Sequence, residues 1–454
     1  MRQKREAVLC FAVIGSGQPK IVVQRVEKYK RLDDLLLRHP ELVTLAHVDL
    51  KKLSQGGRKG RKGDYTSETI LRTLVVMIVE NLPLRDTIAL IGTTPFLEDF
   101  TRLGGRPVMD FTFLDRCFNA IEPETWQKMN DLLARQAAAE GLIDPETIRV
   151  DTTVIEANIH FPTDSSLLWD SWHVLARELR RAHKRCRYPL GHRFHDKKVK
   201  ALHLYVNRYA KSPSKKRQRV VRAKFRTLLE RVRWITGIAE SFCAEAAETP
   251  DFEPKGIALA LRDFLPAVHT VLDTAERAGL RGEKVPASER VFSIFEPHVE
   301  LIKRGKRSKP VEFGHKIVLS EVRQKFISNY QVLEVQKPDC QVTEAAADEH
   351  KEIFGEYPGA LAGDMGMGPR AEKRAALEKK VKVVAIPRRL KDWGDEAMVE
   401  WQGFRAGIEG TISVLKRAFR LGRCLFRGFK HFASAVGLSI VCHNLVVLAA
   451  HATG

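Results

Sequence analysis

A helix drawn through residues 400–420 brings Arg405, Glu409 and Lys416 within about 40° of one another at roughly 100° per residue. Beside them runs an apolar stripe of Phe404, Ile408, Ile412, Leu415 and Phe419, the face by which such a helix packs on a core. A carboxylate flanked by two cations at the edge of an anchored helix stays ionised and is placed to hold a metal or to meet phosphate. A surface helix stitched by ion pairs has the same pattern, so the chemistry depends on partners elsewhere in the chain.

Two aspartates upstream qualify. Asp151 lies in Thr147–Ile155, a β-branched run that reads as a strand. An ionised aspartate in the middle of a buried strand is costly unless it is paired or bound to metal; the alternative is a polar residue facing solvent. Asp364 follows Gly359-Ala360-Leu361-Ala362-Gly363, a short strand whose glycines let another group approach the backbone closely. An Asx-turn is the alternative there. Three carboxylates from two strands and a helix suit a hard, oxygen-preferring cation such as Mg²⁺. Two such ions roughly 3.5–4 Å apart activate a water or a 3′-hydroxyl and stabilise the leaving oxygen in an in-line phosphoryl displacement.

The charge balance fits a phosphate substrate. Lys and Arg number 76 against 56 Asp and Glu, a formal charge of +20 with a pI near 9.7, which favours a polyanionic partner, nucleic acid above all. At 44% hydrophobic and 29% charged residues, the 454-residue chain is neither disordered nor small enough for one ordinary core. Its seven cysteines are scattered, without a C-x-x-C pair, so a disulfide framework or zinc ribbon is not supported and a reducing, cytosolic setting is expected. The spacing His183-x2-Cys186-x5-His192-x2-His195 is only loosely zinc-like and lies among arginines and lysines better suited to a nucleic-acid backbone.

The elements that must position the acids follow from periodicity. Ala7–Ile14 reads as a strand, and residues 51–63 as a basic, glycine-rich arm without the Gly-Lys-Ser/Thr ending of a P-loop. From Thr66 to about Ala139 the pattern is helical, with Thr66 capping a run through Ile78, Pro83 opening Leu84–Ile91 and Asp110 opening Phe111–Ile121. Such a unit is suited to a helix-turn-helix-like DNA contact. After the Asp151 strand, residues 162–278 are helical and strongly basic. Strands are expected at His315–Val322, Tyr330–Val335, Ala360–Gly363 and Val381–Ile386, with helices at Glu344–Phe354, Glu400–Arg420 and His431–Ala450. The last of these carries His443 and Asn444 and reads as a buried helix rather than a membrane span. The order predicts an α/β domain interrupted by a helical insertion. Nearby acids Glu156, Asp395, Glu396 and Glu400 read as surface charges or helix caps.

Val150-Asp151-Thr152-Thr153-Val154-Ile155-Glu156-Ala157-Asn158, Phe313-Gly314-His315-Lys316-Ile317, Leu361-Ala362-Gly363-Asp364 and Arg405-x3-Glu409-x6-Lys416 stand in the order found in bacterial insertion-sequence transposases of the DDE type. The chain resembles these, and ISNCY-like elements in particular, from about Ser67 to Leu448. The resemblance implies an RNase H-like catalytic domain, a mixed sheet flanked by helices, formed by 147–166 and 301–450. It also implies a basic helical insertion at 167–300 that clamps DNA, an all-α DNA-binding domain at 66–140, and an N-terminal segment and linker at 1–65. Asp151, Asp364 and Glu409 become the catalytic and metal-binding triad for two Mg²⁺ ions, for which Mn²⁺ can substitute. Arg405, Lys416, His315 and Lys316 become DNA contacts. The expected partners are double-stranded DNA, as terminal inverted repeats and target, and a second copy of the chain; the expected setting is the bacterial cytoplasm. One departure is Gln402, where the family often has tyrosine three residues before the arginine. A non-enzymatic DNA-binding regulator and an RNase H-like nuclease that hydrolyses without joining are the alternatives.

Overall fold

The computed structural model describes residues 3–4, 17–53, 65–191, 193–303, 310–388 and 396–451. The expected strand at Ala7–Ile14, most of the basic arm, His192 and Asp395 lie outside them. The chain divides into two compact units, residues 1–156 with 315–454, and residues 157–314.

Seven helices open the first unit: α1 (Lys20–Arg38), α2 (Pro40–Lys52), α3 (Ser67–Val79), α4 (Leu84–Gly92), α5 (Pro95–Thr101), α6 (Phe111–Ala120) and α7 (Pro123–Ala139). Two of these helices, α3 and α6, start on the expected side-chain caps. Thr66 Oγ1 accepts from the Thr69 amide at 3.0 Å, and Asp110 Oδ1 accepts from the Thr112 amide at 2.8 Å. Arg72, fully buried on α3, donates to Asp33 at 2.5 Å, to Glu68 at 3.0 Å and to the Phe100 carbonyl at 3.1 Å, joining α1, α3 and α5.

The strand β1 (Thr147–Ala157) leads into the second unit. That unit holds α8 (Asp164–Cys186), α9 (Asp196–Tyr209), α10 (Lys215–Glu248) and α11 (Phe252–Glu276), packed around Trp172, Leu175, Leu228, Val232, Leu261 and Val268. Its strand β2 (Glu300–Lys303) pairs antiparallel with the opening residues of β3 (Val311–Val322), with Glu300 opposite Gly314 and Lys303 opposite Val311.

From His315 the chain completes the first unit through the rest of β3, β4 (Ile327–Val332), α12 (Thr343–Phe354), β5 (Ala360–Ala362), α13 (Ala371–Lys380), β6 (Val383–Ala385), α14 (Glu396–Ala418), β7 (Arg423–Cys424) and α15 (Phe429–His451). The strands lie in the order β4-β3-β1-β5-β6, and β7 pairs with β1. β3 and β4 are antiparallel, with a bulge at Ser320–Glu321. β1 runs parallel to β5, pairing Thr147, Ile148 and Arg149 with Ala360, Leu361 and Ala362, and β5 runs parallel to β6. The architecture is mixed α/β.

The helices before β1 share one apolar core with the sheet instead of forming a body of their own. The reason is α15, which packs on α1, α3, α7 and β4. It is long and apolar enough to cross a membrane, yet 83% of its most apolar stretch is buried against these neighbours. Its polar members are satisfied inside the core. Asn444 donates to Asn130 Oδ1 and to the Ile327 carbonyl, both at 2.8 Å, and accepts from the Ile327 amide at 2.9 Å. Gly437 permits the close approach: a Cβ there would stand 2.5 Å from the Trp126 side chain and 2.5 Å from the Tyr330 hydroxyl.

Candidate active site

On β1 the alternation of a strand puts Arg149, Asp151 and Thr153 on one face. Arg149 organises that face. Its guanidinium forks onto the fully buried Glu321 of β3, with Nε to Oε2 at 3.1 Å and Nη2 to Oε1 at 2.6 Å. Its third nitrogen, Nη1, donates to the Phe404 carbonyl of α14 at 2.6 Å, and the group lies 5.0 Å from the centre of the Phe404 ring. Thr411, two turns along α14, donates its hydroxyl to the same Glu321 carboxylate at 2.8 Å. Burial raises the Glu321 carboxyl, and Arg149 pulls it back as the main opposing influence. One buried network thus joins β1, β3 and α14. Gly407 is what lets α14 lie so close, because a Cβ there would stand 2.0 Å from Arg149 Nη1.

Two residues beyond Arg149, Asp151 is half-buried and accepts from the Thr152 amide at 2.7 Å through Oδ1. Its carboxyl is pushed up to about 6, first by burial and then by the negative charges of Asp364 and Glu409. The Thr152 amide and Arg405 oppose the rise. Residues 213 and 258 positions downstream therefore act on one aspartate through space, as the spacing along the chain alone cannot show. Asp364 sits just past β5, the parallel neighbour of β1, and its Oδ1 caps a short 3₁₀ turn by accepting from the Met367 amide at 2.9 Å. The Asx-type geometry and the site position are the same residue. Glu409, on α14, is the most open of the three at 62% side-chain exposure, and it pairs with Arg405 at 3.1 Å. The Arg405 Nε is buried without a hydrogen-bond partner.

The donor set is all oxygen and all of one sign, and the charges of Asp364 and Glu409 both act to raise the Asp151 carboxyl. A divalent cation relieves that repulsion, so the residues fit Mg²⁺ in their chemistry. Among the described residues, however, no three His, Cys, Asp or Glu side chains stand as a ready-made coordination shell. Glu409 is turned onto Arg405 and largely in solvent.

The other expected contacts fall differently. Lys416 donates to the Val154 carbonyl at 2.8 Å, so its ammonium fastens α14 to the β1 backbone where a phosphate contact was expected. His315 is a correction: it is fully buried, with Nδ1 at 3.0 Å from the Leu333 carbonyl and its ring against Phe429 and Phe432, out of reach of a duplex on the surface. Lys316 is nearly buried as well, donating to Asp339 at 2.8 Å and to the Lys337 carbonyl at 3.3 Å. Asp339 also takes the Thr152 hydroxyl at 3.0 Å, which supports the opposite face of β1. His183 contacts the Tyr188 carbonyl at 2.8 Å, and the loosely spaced His and Cys residues near it form no metal group among the described residues. No protein-family profile, no curated protein and no solved structure matches this chain.

Proposed function

We propose that the chain is a DNA transposase of the DDE type, with an RNase H-like catalytic domain, that cuts at the terminal inverted repeats of its element and joins the 3′ ends to target DNA. The observation that carries this reading is the elevated Asp151 carboxyl, which feels both Asp364 and Glu409. The strand order β4-β3-β1-β5-β6, with its antiparallel β3–β4 hairpin and parallel β1, β5 and β6, supports an RNase H-like sheet. So does the place of the acids: on the central strand, at the end of its parallel neighbour, and on the helix that follows β6.

In this reading Asp151, Asp364 and Glu409 hold two Mg²⁺ ions, which supply activation of the attacking hydroxyl and neutralisation of charge at the scissile phosphate. The protein's own share is positional. Arg149, Glu321 and Thr411 fix α14 against β1, and Lys416 fastens its later turns. Positive charge held there would favour the ionised form of Asp151, against the burial and the two acidic neighbours that raise it. Arg405 balances Glu409 until the substrate and its counter-charges arrive, and then faces phosphate. The chain after Glu409 holds no further carboxylate, while Arg417, Arg420, Arg423 and Arg427 follow closely, a segment suited to a DNA backbone.

The test uses oligonucleotide duplexes carrying the element's own ends. Asp151→Asn, Asp364→Asn and Glu409→Gln are each expected to abolish Mg²⁺-dependent cleavage while retaining end binding. Normal cutting by these variants would remove the assignment. Cleavage by the wild-type chain without any joining of 3′ ends to target would instead identify a hydrolytic nuclease.

A further inference from the structure

Between Asp196 and Glu230 the sequence has seven lysines and five arginines and no carboxylate. These residues form α9 and the first third of α10, two helices packed on each other and joined by a short turn at 210–214. All twelve are exposed except Lys224, which is half-buried, and none of them forms an ion pair among the described residues. The contrast within the same unit is plain: Arg277 is held by Glu283, Asp273 and Glu289 at 2.9, 3.2 and 2.7 Å.

The cations share a face. Arg208 of α9 and Arg217 of α10 lie 5.5 and 4.7 Å from the centre of the same Tyr209 ring, and Lys224 lies 4.8 Å from that of Tyr205. The two tyrosines are themselves 4.7 Å apart. The rings hold three cations from both helices in place without neutralising them. A groove of about 660 Å³ continues the face, lined by Lys215, Arg219, Arg222 and Arg281 over Val206 and Phe225. Gly279 makes it possible, since a Cβ there would stand 2.3 Å from the Phe225 ring.

We infer that this α9–α10 face is a sequence-independent grip for the phosphate backbone of duplex DNA. The inference deepens the transposase reading and rests on it for the choice of partner, but its chemistry is separate from cleavage. A lipid surface fits less well, because a helix that lies in a membrane needs a free apolar stripe. Here Val199 and Val206 of α9, and Val221, Phe225, Leu228 and Leu229 of α10, are spent in the core of their own unit. Fourteen residues of α9 extend about 20 Å, along which a duplex presents roughly twelve phosphates counting both strands.

The experiment measures binding of the full chain to a duplex of arbitrary sequence in EDTA, across a salt series. Lys215→Gln/Lys216→Gln/Arg219→Gln is compared with Lys184→Gln/Lys255→Gln/Lys284→Gln, which removes equal charge from exposed positions elsewhere in the unit. The first set is expected to lower the slope of log K against log salt by roughly two to three and to weaken binding on the order of 10²-fold at 0.1 M salt, with the melting curve unchanged. The second set is expected to do neither. Equal weakening by both sets overturns the inference, as does tighter binding of the wild type to phosphatidylserine vesicles than to the duplex. Should the triple variant melt early, Lys215→Gln and Arg219→Gln singly must each lower the slope by about one. Because metal is absent, failure of cleavage in the triad experiment leaves this result untouched, and the reverse also holds.

Discussion

At the scale of single residues, Asp151 is an acid made expensive by its surroundings. Its proton is held more tightly in the folded chain than in the unfolded one, the reverse of a salt-bridged carboxylate. Between its unfolded value near 3.8 and its folded value of about 6, the native state binds the extra proton, so stability falls as pH rises through that window. The loss at pH 7 is on the order of 2–3 kcal/mol. Asp151→Asn is therefore expected to melt higher than the wild type at pH 7 in EDTA and to match it near pH 4. Thermal melts at the two pH values check this, and the difference between the two proteins separates Asp151 from Asp131, Asp170, Glu321 and Glu349, whose carboxyls burial also raises. An identical pH profile for both proteins would mean that Asp151 is not strained by its neighbours. The three acids stood out in the sequence as candidates, Asp151 by its place in a strand, Asp364 by its flanking glycines and Glu409 by its flanking cations, while the action of Asp364 and Glu409 on Asp151 is visible only in the fold. Arg149 did not stand out: an arginine two positions before the aspartate looks like surface charge until Glu321, 172 residues away, is seen to bury it. His315 misled for the opposite reason, since a histidine in a strand motif gives no sign of whether it faces core or solvent.

At the scale of elements, the site depends on how closely α14 lies on β1. Gly403, Gly407 and Gly410 all sit in this helix, yet only Gly407 is crowded; a Cβ at the other two meets nothing within 4 Å. Gly407→Ala is expected to cost about 1–3 kcal/mol and to cut cleavage sharply, because α14 or Arg149 must move. Gly403→Ala and Gly410→Ala are expected to be neutral or stabilising by up to about 1 kcal/mol, from better helix propensity alone. Urea midpoints of the three variants decide the point, and equal effects would mean that α14 is not clamped. Caps, strand character and helical periodicity placed the elements they named to within a few residues, but α1, α2, α5 and α13 went unread and α8 to α11 were read only as one helical stretch. β2 and β7 were beyond reading, at four and two residues, since so short a strand exists only through its neighbours. The sequence also marked 66–140 as a domain by its helical pattern, whereas α15 draws those helices into the core of the sheet, a contact between chain segments about 300 residues apart.

At the scale of the whole molecule, two large apolar cores, one in each unit, and an uneven distribution of charge stand out among the described residues. Calorimetry of the full chain is expected to show two transitions, and raising salt from about 0.05 to 0.5 M should lift the one belonging to residues 157–314 more than the other, by screening its unpaired cations. A single transition, or equal salt response in both, would count against independent cores. The net charge pointed to a polyanion and the basic character of residues 162–278 was plain in the sequence, but which of those cations stay without an ion pair among the described residues is visible only in the fold. The interrupted layout of the first unit has a temporal consequence. A ribosome makes Asp151 early, finishes the entire helical insertion next, and delivers Asp364 and Glu409 only afterwards. If the proposed function and the inferred grip hold, a nascent or prematurely ended chain would engage nucleic acid through its cationic helices before it owned all three acids, so grip would precede cutting.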